Sequence, residues 1–286
     1  RDTAISLATL INFNKKTATN ILWWLLKRIE TENANNCPDC LGWFFKRAGD
    51  LIGTQKLKVQ ETKGIKFFLI KTIERLLKEQ TKDDFALNRA KETWMDSLSR
   101  QGARIEMQTL RLAMYRLGSQ LADSQKEKEF YRKLEQDLKA KVRNKFWDGN
   151  ILADGFEIET GQLDLTLRPN IFLAAYIYPD LLTKEDWTKC FDQILAKLWL
   201  EWGGISTIDK TSPAFHSFYT GETPDSYHQG DSWFFLNNLA ALVLFRIDKI
   251  RFENYIAKIL KASTKEILWQ GVIGAHAELS SANNLK

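Results

Sequence analysis

The chain has 286 residues, enough for one large domain or two smaller ones, and 44% of them are hydrophobic, so a sizeable core can form. It carries 41 basic and 36 acidic residues for a net charge of +5, and acidic residues intersperse the basic ones of 126–145, which argues against a nucleic-acid groove. No apolar run reaches the ~18 residues that cross a membrane, and no secretory signal precedes residue 1, so we expect no membrane partner.

Helical periodicity runs through the chain. A 3.6-residue repeat of apolar positions covers the segments 2–13, 16–31, 103–122, 184–200, 229–246 and 250–268. The proline-free segment 39–168 holds two further apolar stripes, one through Leu69 and Leu76 and one through Leu138. Thr183, followed by two acidic residues, is a helix start signal. Helices near 21–29 and 233–245 are apolar on nearly all sides, which predicts that they are buried.

Strand signals are few, and one short hairpin is indicated within 150–167. We therefore predict an all-α protein of about ten helices, with polar and aromatic loops at 92–102, 199–228 and 269–286. No short repeat of the tetratricopeptide or HEAT type occurs, which disfavours an α-solenoid. The absence of repeats does not exclude a closed ring of helical hairpins, since the hairpins of such a ring need not resemble one another in sequence.

A long loop lies within residues 203–238. It has ~25 residues and carries two of the three histidines, His216 and His228. Loops longer than ~15 residues are usually functional or disordered, and disorder fits this aromatic composition poorly. We expect a binding site here, although the two histidines also fit a role in stabilising turns.

The three cysteines argue against a disulfide framework and fit a reducing cytoplasm, where we expect the protein to act. Cys37 and Cys40 form one C-x-x-C pair. A structural zinc site needs four ligands, and Cys190 and the histidines are remote in sequence. We therefore expect no metal, and Cys190, on an apolar helix, is expected in the core.

Two carboxyl residues are candidates for glycosidic bond cleavage, which needs one carboxyl group to donate a proton and another to activate water. Asp96 follows Trp94 by two residues, and an apolar neighbour of that kind raises a carboxyl pKa by desolvation. Glu278 lies in another loop. Asp96 also fits a helix cap or a turn. Glu106 and Gln108, on an otherwise apolar helix, are either ligands for sugar hydroxyls or a satisfied polar pair in the core.

Seven sequence blocks together resemble the glucosidase domain of glycogen-debranching enzymes, the amylo-α-1,6-glucosidase family, which is related to glucoamylases. They occur in the family's order and span nearly the whole chain, and they look most similar to archaeal-type members. The blocks are RDTAISL at 1–7, ETWMD at 92–96, R-x-G-x-x-I-E-M-Q at 100–108, D-x-x-L-R-P-N at 164–170, GGISTID-x-x-SP-x-F at 203–215, DSYHQGDSW at 225–233 and GAHAEL at 274–279.

The resemblance implies one (α/α)6-barrel catalytic domain over 1–286 and hydrolysis with inversion, without a cofactor. Asp96 would be the general acid and Glu278 the general base, with their carboxyl groups ~6.5–9.5 Å apart. The substrate would be glycogen or another branched α-glucan or maltooligosaccharide. Other positions implied to bind the sugar are Arg1, Asp2, Trp94, Glu106, Gln108, Arg168, Asn170, His216, Tyr227, His228, Gln229 and Trp233.

Departures from the family pattern concern one helix and both ends of the chain. The family often reads A-L-W where this chain has Thr109, Leu110 and Arg111, so an aromatic residue is replaced. Family members continue past Glu278 into a last helix and carry an amino-terminal β-sandwich domain. We therefore expect the chain to be a catalytic domain that lacks both.

Three other functions stay open. An α-glucosidase or trehalase-like hydrolase would act on a different linkage. A non-catalytic carbohydrate-binding domain would keep the pocket without turnover, and the presence of both Asp96 and Glu278 speaks against it because binding requires neither an acid nor a base. A helical scaffold for protein partners would bind no glucose.

Overall fold

The computed structural model describes residues 1–31, 38–54, 57–219 and 225–285, and within these ranges it is mainly helical, with ten α-helices and seven two-residue strands. The predicted helical class is thus confirmed. The chain divides into two compact units, 1–142 and 143–286. The single catalytic domain and its six-hairpin barrel arrangement stay predictions.

The first unit is built around a central helix, α3 (Pro38–Gly53). It packs against α1 (Asp2–Phe13), α2 (Lys15–Thr31) and α5 (Ile105–Leu121), while α4 (Val59–Glu79) packs on α5, and α6 (Gln125–Phe146) follows. At Gly42, α3 lies so close to α5 that an added Cβ would be 2.6 Å from Leu110 Cβ. A residue without a side chain is therefore required at this crossing.

Short strands shape the segment between α4 and α5. β1 (Thr81–Lys82) pairs antiparallel with β2 (Phe85–Ala86) through a turn in which Asp83 and Asp84 have φ of 53° and 70°. β3 (Ala103–Arg104) leads directly into α5. An antiparallel bridge between Asn88 and Gly102 closes residues 89–101 into a loop, and this loop contains all of the predicted loop 92–102 except Gly102.

In the second unit, β4 (Gly155–Phe156) and β5 (Leu163–Asp164) form an antiparallel pair, which confirms the hairpin predicted in 150–167. Four helices follow: α7 (Asn170–Ile177), α8 (Lys184–Leu198), α9 (Phe234–Asp248) and α10 (Glu253–Trp269), with a short 3₁₀ helix at Pro179–Leu181. α9 packs against the other three. Aromatic stacking fills the core: the ring of Phe191 stacks on Phe172 and on Trp187.

A second strand pair joins the residues that precede α9 to those that follow α10. β6 (Ser232–Trp233) pairs antiparallel with β7 (Leu279–Ser280), so that Trp233 lies opposite Leu279. Because residues 232–233 are extended, α9 begins at Phe234 rather than at residue 229, where the sequence pattern places its start.

Two local predictions have opposite outcomes. The helix start at Thr183 is confirmed, because its side chain accepts a hydrogen bond from the backbone N–H of Asp186 at 3.1 Å. The prediction that the helices near 21–29 and 233–245 are buried is wrong for one side of each. Phe245 is 55% exposed. Trp24 is 48% exposed, and the Arg28 guanidinium lies 4.8 Å from its ring centroid. A cation above the ring face lets this apolar surface remain accessible to solvent.

The cysteines differ from the expectation of a chain without disulfides. Cys190 is a buried free thiol, as predicted, and burial raises its pKa. Cys40 is disulfide-bonded, and Cys37 lies outside the described residues. In the described part of the chain, no group of three or more His, Cys, Asp or Glu side chains is arranged to hold a metal ion. No helix in the same ranges is long and apolar enough to cross a membrane.

Candidate active site

In the first unit, Asp96 is held by the residue at the start of α1. Arg1 Nη2 donates to Asp96 Oδ2 at 3.0 Å, and Arg1 Nη1 donates to the carbonyl of Thr93 at 2.8 Å. The side chain of Asp96 is 46% exposed, while Trp94 is buried. One carboxylate oxygen is therefore occupied by the guanidinium, and the group remains open to solvent.

A second carboxyl group, which the sequence analysis missed, lies on the other side of the same guanidinium. Asp39 Oδ2 is 3.5 Å from Arg1 Nη1, and Asp39 is only 1% exposed. Burial raises the pKa of Asp39 to about 6, an effect that the Arg1 charge opposes and the Glu106 charge reinforces. Arg1 thus joins a buried carboxyl group to an accessible one.

Glu106 and Gln108 are both buried with protein partners. Arg100 forms a two-nitrogen ion pair with Glu106, at 2.6 and 3.3 Å, and also donates to Thr93 Oγ1 at 3.0 Å. The Gln108 amide pairs with the backbone N–H and carbonyl of Ala86, at 2.9 and 2.7 Å. These contacts support the alternative that Glu106 and Gln108 are satisfied polar groups of the core. They also hold the ends of the loop of residues 89–101, which contains Asp96.

Two other residues and one cavity of this unit bear on the site. The side chain of Asp2 is 90% exposed and accepts from Arg1 Nε at 3.3 Å. Arg111, at the position where the family often has an aromatic residue, is buried and donates to Thr81 Oγ1 at 3.0 Å. A cavity of about 220 Å³ opens beside Arg1, and Trp24, Arg28 and Phe44 are among its lining residues.

In the second unit, Glu278 is exposed and is held by two contacts. Its Oε2 accepts from Tyr227 Oη at 3.1 Å, and its carbonyl oxygen accepts from the backbone N–H of Phe234 at 3.2 Å. The strand pair β6–β7 begins at the next residue, Leu279. The backbone on one side of Glu278 is therefore fixed, while its carboxylate stays accessible.

Tyr227 belongs to an aromatic cluster with His228 and Trp233. The rings of His228 and Trp233 stack with centroids 5.0 Å apart, and Tyr227 meets Trp233 edge-on at 4.7 Å. Trp233 Nε1 donates to the Tyr227 carbonyl at 2.8 Å. These contacts set the position of the phenol that reaches Glu278.

Buried polar residues hold the loop that contains this cluster. Arg168 Nη1 donates to the carbonyls of Thr207 and His228, at 3.1 and 2.9 Å. Asn170 donates to Asp154 Oδ1 at 2.6 Å. Arg168 and Asn170 therefore have protein partners within the unit, and direct contact of either with a sugar stays a prediction.

The last two predicted residues of this loop, His216 and Gln229, pair through their backbones. The N–H of His216 donates to the Gln229 carbonyl at 2.7 Å, and an added Cβ at Gly230 would overlap the His216 carbonyl. The side chain of His216 is exposed. These contacts are made by the backbone, so the role of the His216 imidazole, in the turn or in sugar binding, stays a prediction.

Asp231 is a further buried carboxyl group that the sequence analysis missed. Its Oδ2 accepts from Ser226 Oγ at 2.8 Å. Burial raises the pKa of Asp231 to about 6, and the hydrogen bond from Ser226 acts in the opposite direction. Its position between His228 and Trp233 in the DSYHQGDSW block is the sequence feature that could have indicated its place beside the predicted site residues.

Comparison with solved structures finds distant likenesses. An uncharacterized conserved protein from Thermus thermophilus is similar at 14% identity and a TM-score of 0.46, over 77% of this chain and 47% of that one. A GH63 mannosylglycerate hydrolase from the same organism, solved in complex with glucose, is similar at 14% identity and a TM-score of 0.45, over 76% of this chain and 47% of that one. The chain spans about half the length of each.

Comparison by sequence gives a clearer result. No curated protein matches the chain. A family model described as Amylo-alpha-1,6-glucosidase matches residues 13–285 and so includes both candidate carboxyl residues, Asp96 and Glu278, while Arg1 and Asp2 precede the matched range. On this match over nearly its whole length, the chain belongs to the amylo-alpha-1,6-glucosidase family.

Proposed function

We propose that the chain is a glycoside hydrolase domain that removes α-1,6-linked glucose from glycogen or another branched α-glucan, with inversion at the anomeric carbon. The family match over residues 13–285 is the observation that carries the proposal. Asp96 serves as the general acid and Glu278 as the general base.

The contacts of the two carboxyl groups support separate roles for their oxygens. Arg1 occupies Asp96 Oδ2, so the transferable proton belongs on Oδ1, from which it passes to the glycosidic oxygen. Tyr227 occupies Glu278 Oε2, so Oε1 is the oxygen that accepts a proton from water. That water attacks the anomeric carbon from the opposite face of the sugar, and the bond to the leaving oxygen breaks.

Both proton transfers belong to carboxyl groups, so this reaction requires no metal or organic cofactor. The net change is the addition of one water across the glycosidic bond.

The remaining predicted residues take two roles in this proposal. Tyr227 and Gln229 are partly accessible and offer an aromatic edge and an amide to the sugar. Buried residues with protein partners, such as Arg100 with Glu106 and Arg168 with the His228 carbonyl, maintain the shape of the two loops.

A panel of α-linked substrates tests the proposal. The chain is incubated with isomaltose, panose, a branched limit dextrin, maltose and trehalose, and released glucose is followed by ¹H NMR. We expect fastest release from the α-1,6-linked substrates, with β-glucose as the first anomer. Fastest release from maltose or trehalose would favour the α-glucosidase or trehalase-like alternative, and sugar binding without release would favour a carbohydrate-binding domain.

A further inference from the structure

His276, two residues before Glu278, has polar contacts on both ring nitrogens. Nδ1 lies 2.6 Å from Glu266 Oε2. Nε2 lies 2.9 Å from Ser263 Oγ and 3.4 Å from Asn238 Nδ2. Its partners come from α9 and α10, so the imidazole links the exposed segment 271–278 to the helices beneath it.

Glu266 uses both of its carboxylate oxygens on this segment. Oε2 contacts the His276 ring, and Oε1 accepts from the backbone N–H of Ala277 at 3.0 Å. Glu266 is only 1% exposed. A buried carboxylate is costly unless it is well paired, and here its partners are the two residues immediately before Glu278.

The three contacts of the ring agree on one tautomer. A carboxylate can only accept, so His276 Nδ1 carries the proton that faces Glu266. Nε2 then accepts from the Ser263 hydroxyl and faces the Asn238 amide, both of which can donate. A ring that donates from Nδ1 and accepts at Nε2 therefore suits all three partners.

Phe234 fixes the same segment from its other side. Its ring stacks on His276 with centroids 4.8 Å apart and an interplanar angle of 19°. Its backbone N–H donates to the Glu278 carbonyl. His276, Ala277 and Glu278 are thus each tied to α9 or α10, although the residues around them are exposed.

We propose that Glu266 and His276 are positioning residues that set the orientation of Glu278. The inference rests on the proposed role of Glu278 as general base. Glu266 orients the imidazole and the Ala277 amide, and these fix the backbone from which the Glu278 side chain projects. A misplacement of about 1 Å at a catalytic group can cost on the order of 100-fold in rate.

Ser263, His276 and Glu266 contact one another in the order of a Ser–His–Glu catalytic triad for acyl transfer. The structure disfavours that role. Ser263 is 8% exposed and lies inside α10, where backbone N–H groups are used in helical hydrogen bonds. An acyl-transfer site requires an accessible hydroxyl and free donors for the developing oxyanion. The Ser263 hydroxyl instead serves as a partner for Nε2.

The test begins with Glu266→Gln, which preserves shape and removes the charge. The introduced amide has a single acceptor oxygen, so it cannot accept from both His276 Nδ1–H and the Ala277 N–H as the two carboxylate oxygens do. We expect kcat on an α-1,6-linked substrate to fall by about 10- to 100-fold, with KM changed by less than about 3-fold. Glu253→Gln, the same substitution at an exposed position of α10, is the matched control and should leave both constants unchanged.

A pair of variants at His276 makes the test independent of the folding of Glu266→Gln. His276→Asn retains a donor near the Nδ1 position, and His276→Phe retains the ring but no hydrogen bond. We expect His276→Phe to lose at least 10-fold in kcat and His276→Asn to recover part of that loss. Side-chain ¹⁵N NMR of the wild-type protein should show His276 protonated at Nδ1, and in Glu266→Gln the proton should move to Nε2.

Glu278→Gln, assayed in parallel, distinguishes failure of the positioning role from failure of the proposed function. An inactive Glu278→Gln with a near-normal kcat in both Glu266→Gln and His276→Phe would overturn the positioning role alone. Full activity of Glu278→Gln would overturn the proposed function and the positioning role with it. Hydrolysis of p-nitrophenyl acetate that is lost in Ser263→Ala would also contradict the inference, because it would show acyl-transfer chemistry.

Discussion

Arg1 and Asp39 form an ion pair at 3.5 Å in which the carboxyl group is almost completely buried. The same guanidinium contacts Asp96 at 3.0 Å. A buried carboxylate therefore holds the cation that contacts the proposed general acid. Charge that is buried in this way affects stability as well as positioning.

The first prediction concerns the pH dependence of stability. The pKa of Asp39 is raised from 3.8 to about 6 on folding, so its contribution to stability is complete below pH ~4 and is lost as pH rises through ~6. Asp39→Asn cannot ionise. The free energy of unfolding of Asp39→Asn minus that of wild type should therefore increase from pH 4 to pH 7, by on the order of 3 kcal/mol at ~1.4 kcal/mol per pKa unit.

Urea unfolding of the two proteins at several pH values measures this difference. Asp123→Asn, at an exposed position of the same unit, provides the control. Its contact with Lys66 lowers the pKa of Asp123, so the difference of this variant from wild type should decrease from pH 4 to pH 7, opposite in sign to that of Asp39→Asn. A difference for Asp39→Asn that stays constant or decreases between pH 4 and 7 would contradict a raised pKa.

The second prediction concerns the hydrogen bond from Tyr227 to Glu278. Tyr227→Phe removes the hydroxyl and retains the ring that meets Trp233. One hydrogen bond contributes about 0.5–1.5 kcal/mol, so kcat should fall by roughly 2- to 10-fold while the protein remains folded. Steady-state kinetics beside Tyr219→Phe, at an exposed tyrosine, checks this. Equal kcat values in the two variants would show that the phenol does not orient the base.

The third prediction concerns the crossing of α3 and α5. Gly42→Ala places a methyl group against Leu110, and overpacking of this kind costs about 1–3 kcal/mol. Gly53→Ala, at the end of the same helix, meets no atom within 4 Å and should be neutral or stabilising by up to ~1 kcal/mol. Thermal unfolding compares them. A Gly42→Ala protein as stable as Gly53→Ala would contradict the close approach.

Much of the helical framework could be predicted from local patterns. α1 and α10 are found within about three residues of the predicted bounds, and Thr183 caps α8 as its neighbours indicate. Periodicity and capping act over one or two helical turns, so the sequence alone reveals them. The turn at Asp83 and Asp84 was missed because neither residue is the glycine or asparagine that usually marks positive φ.

The buried charges could not be predicted in the same way. Asp39 and Glu266 are buried in contact with Arg1 and His276, which are 38 and 10 positions away along the chain. The pairing of β6 with β7 joins residues about 48 positions apart. Such contacts depend on how helices pack, and no local pattern specifies them.

The motif blocks indicated the family but not the role of each residue. Glu106 and Gln108 stand in one block, and both are bonded to protein groups. Glu266 lies outside the blocks, at a position that continues the buried stripe of Ile259, Ala262 and Ser263 on α10. A glutamate in such a stripe was the available signal that it has a partner.

The most direct test of the central claim uses a substrate whose leaving group needs no proton. Fluoride leaves from α-glucosyl fluoride without a general acid, whereas the glycosidic oxygen of an α-1,6-linked substrate needs one. Asp96→Asn should lose about 100-fold or more on the glycoside and stay within ~10-fold of wild type on the fluoride, while Glu278→Gln should lose at least ~100-fold on both. Equal losses of Asp96→Asn on the two substrates, or normal turnover of the fluoride by Glu278→Gln, would contradict the assignment.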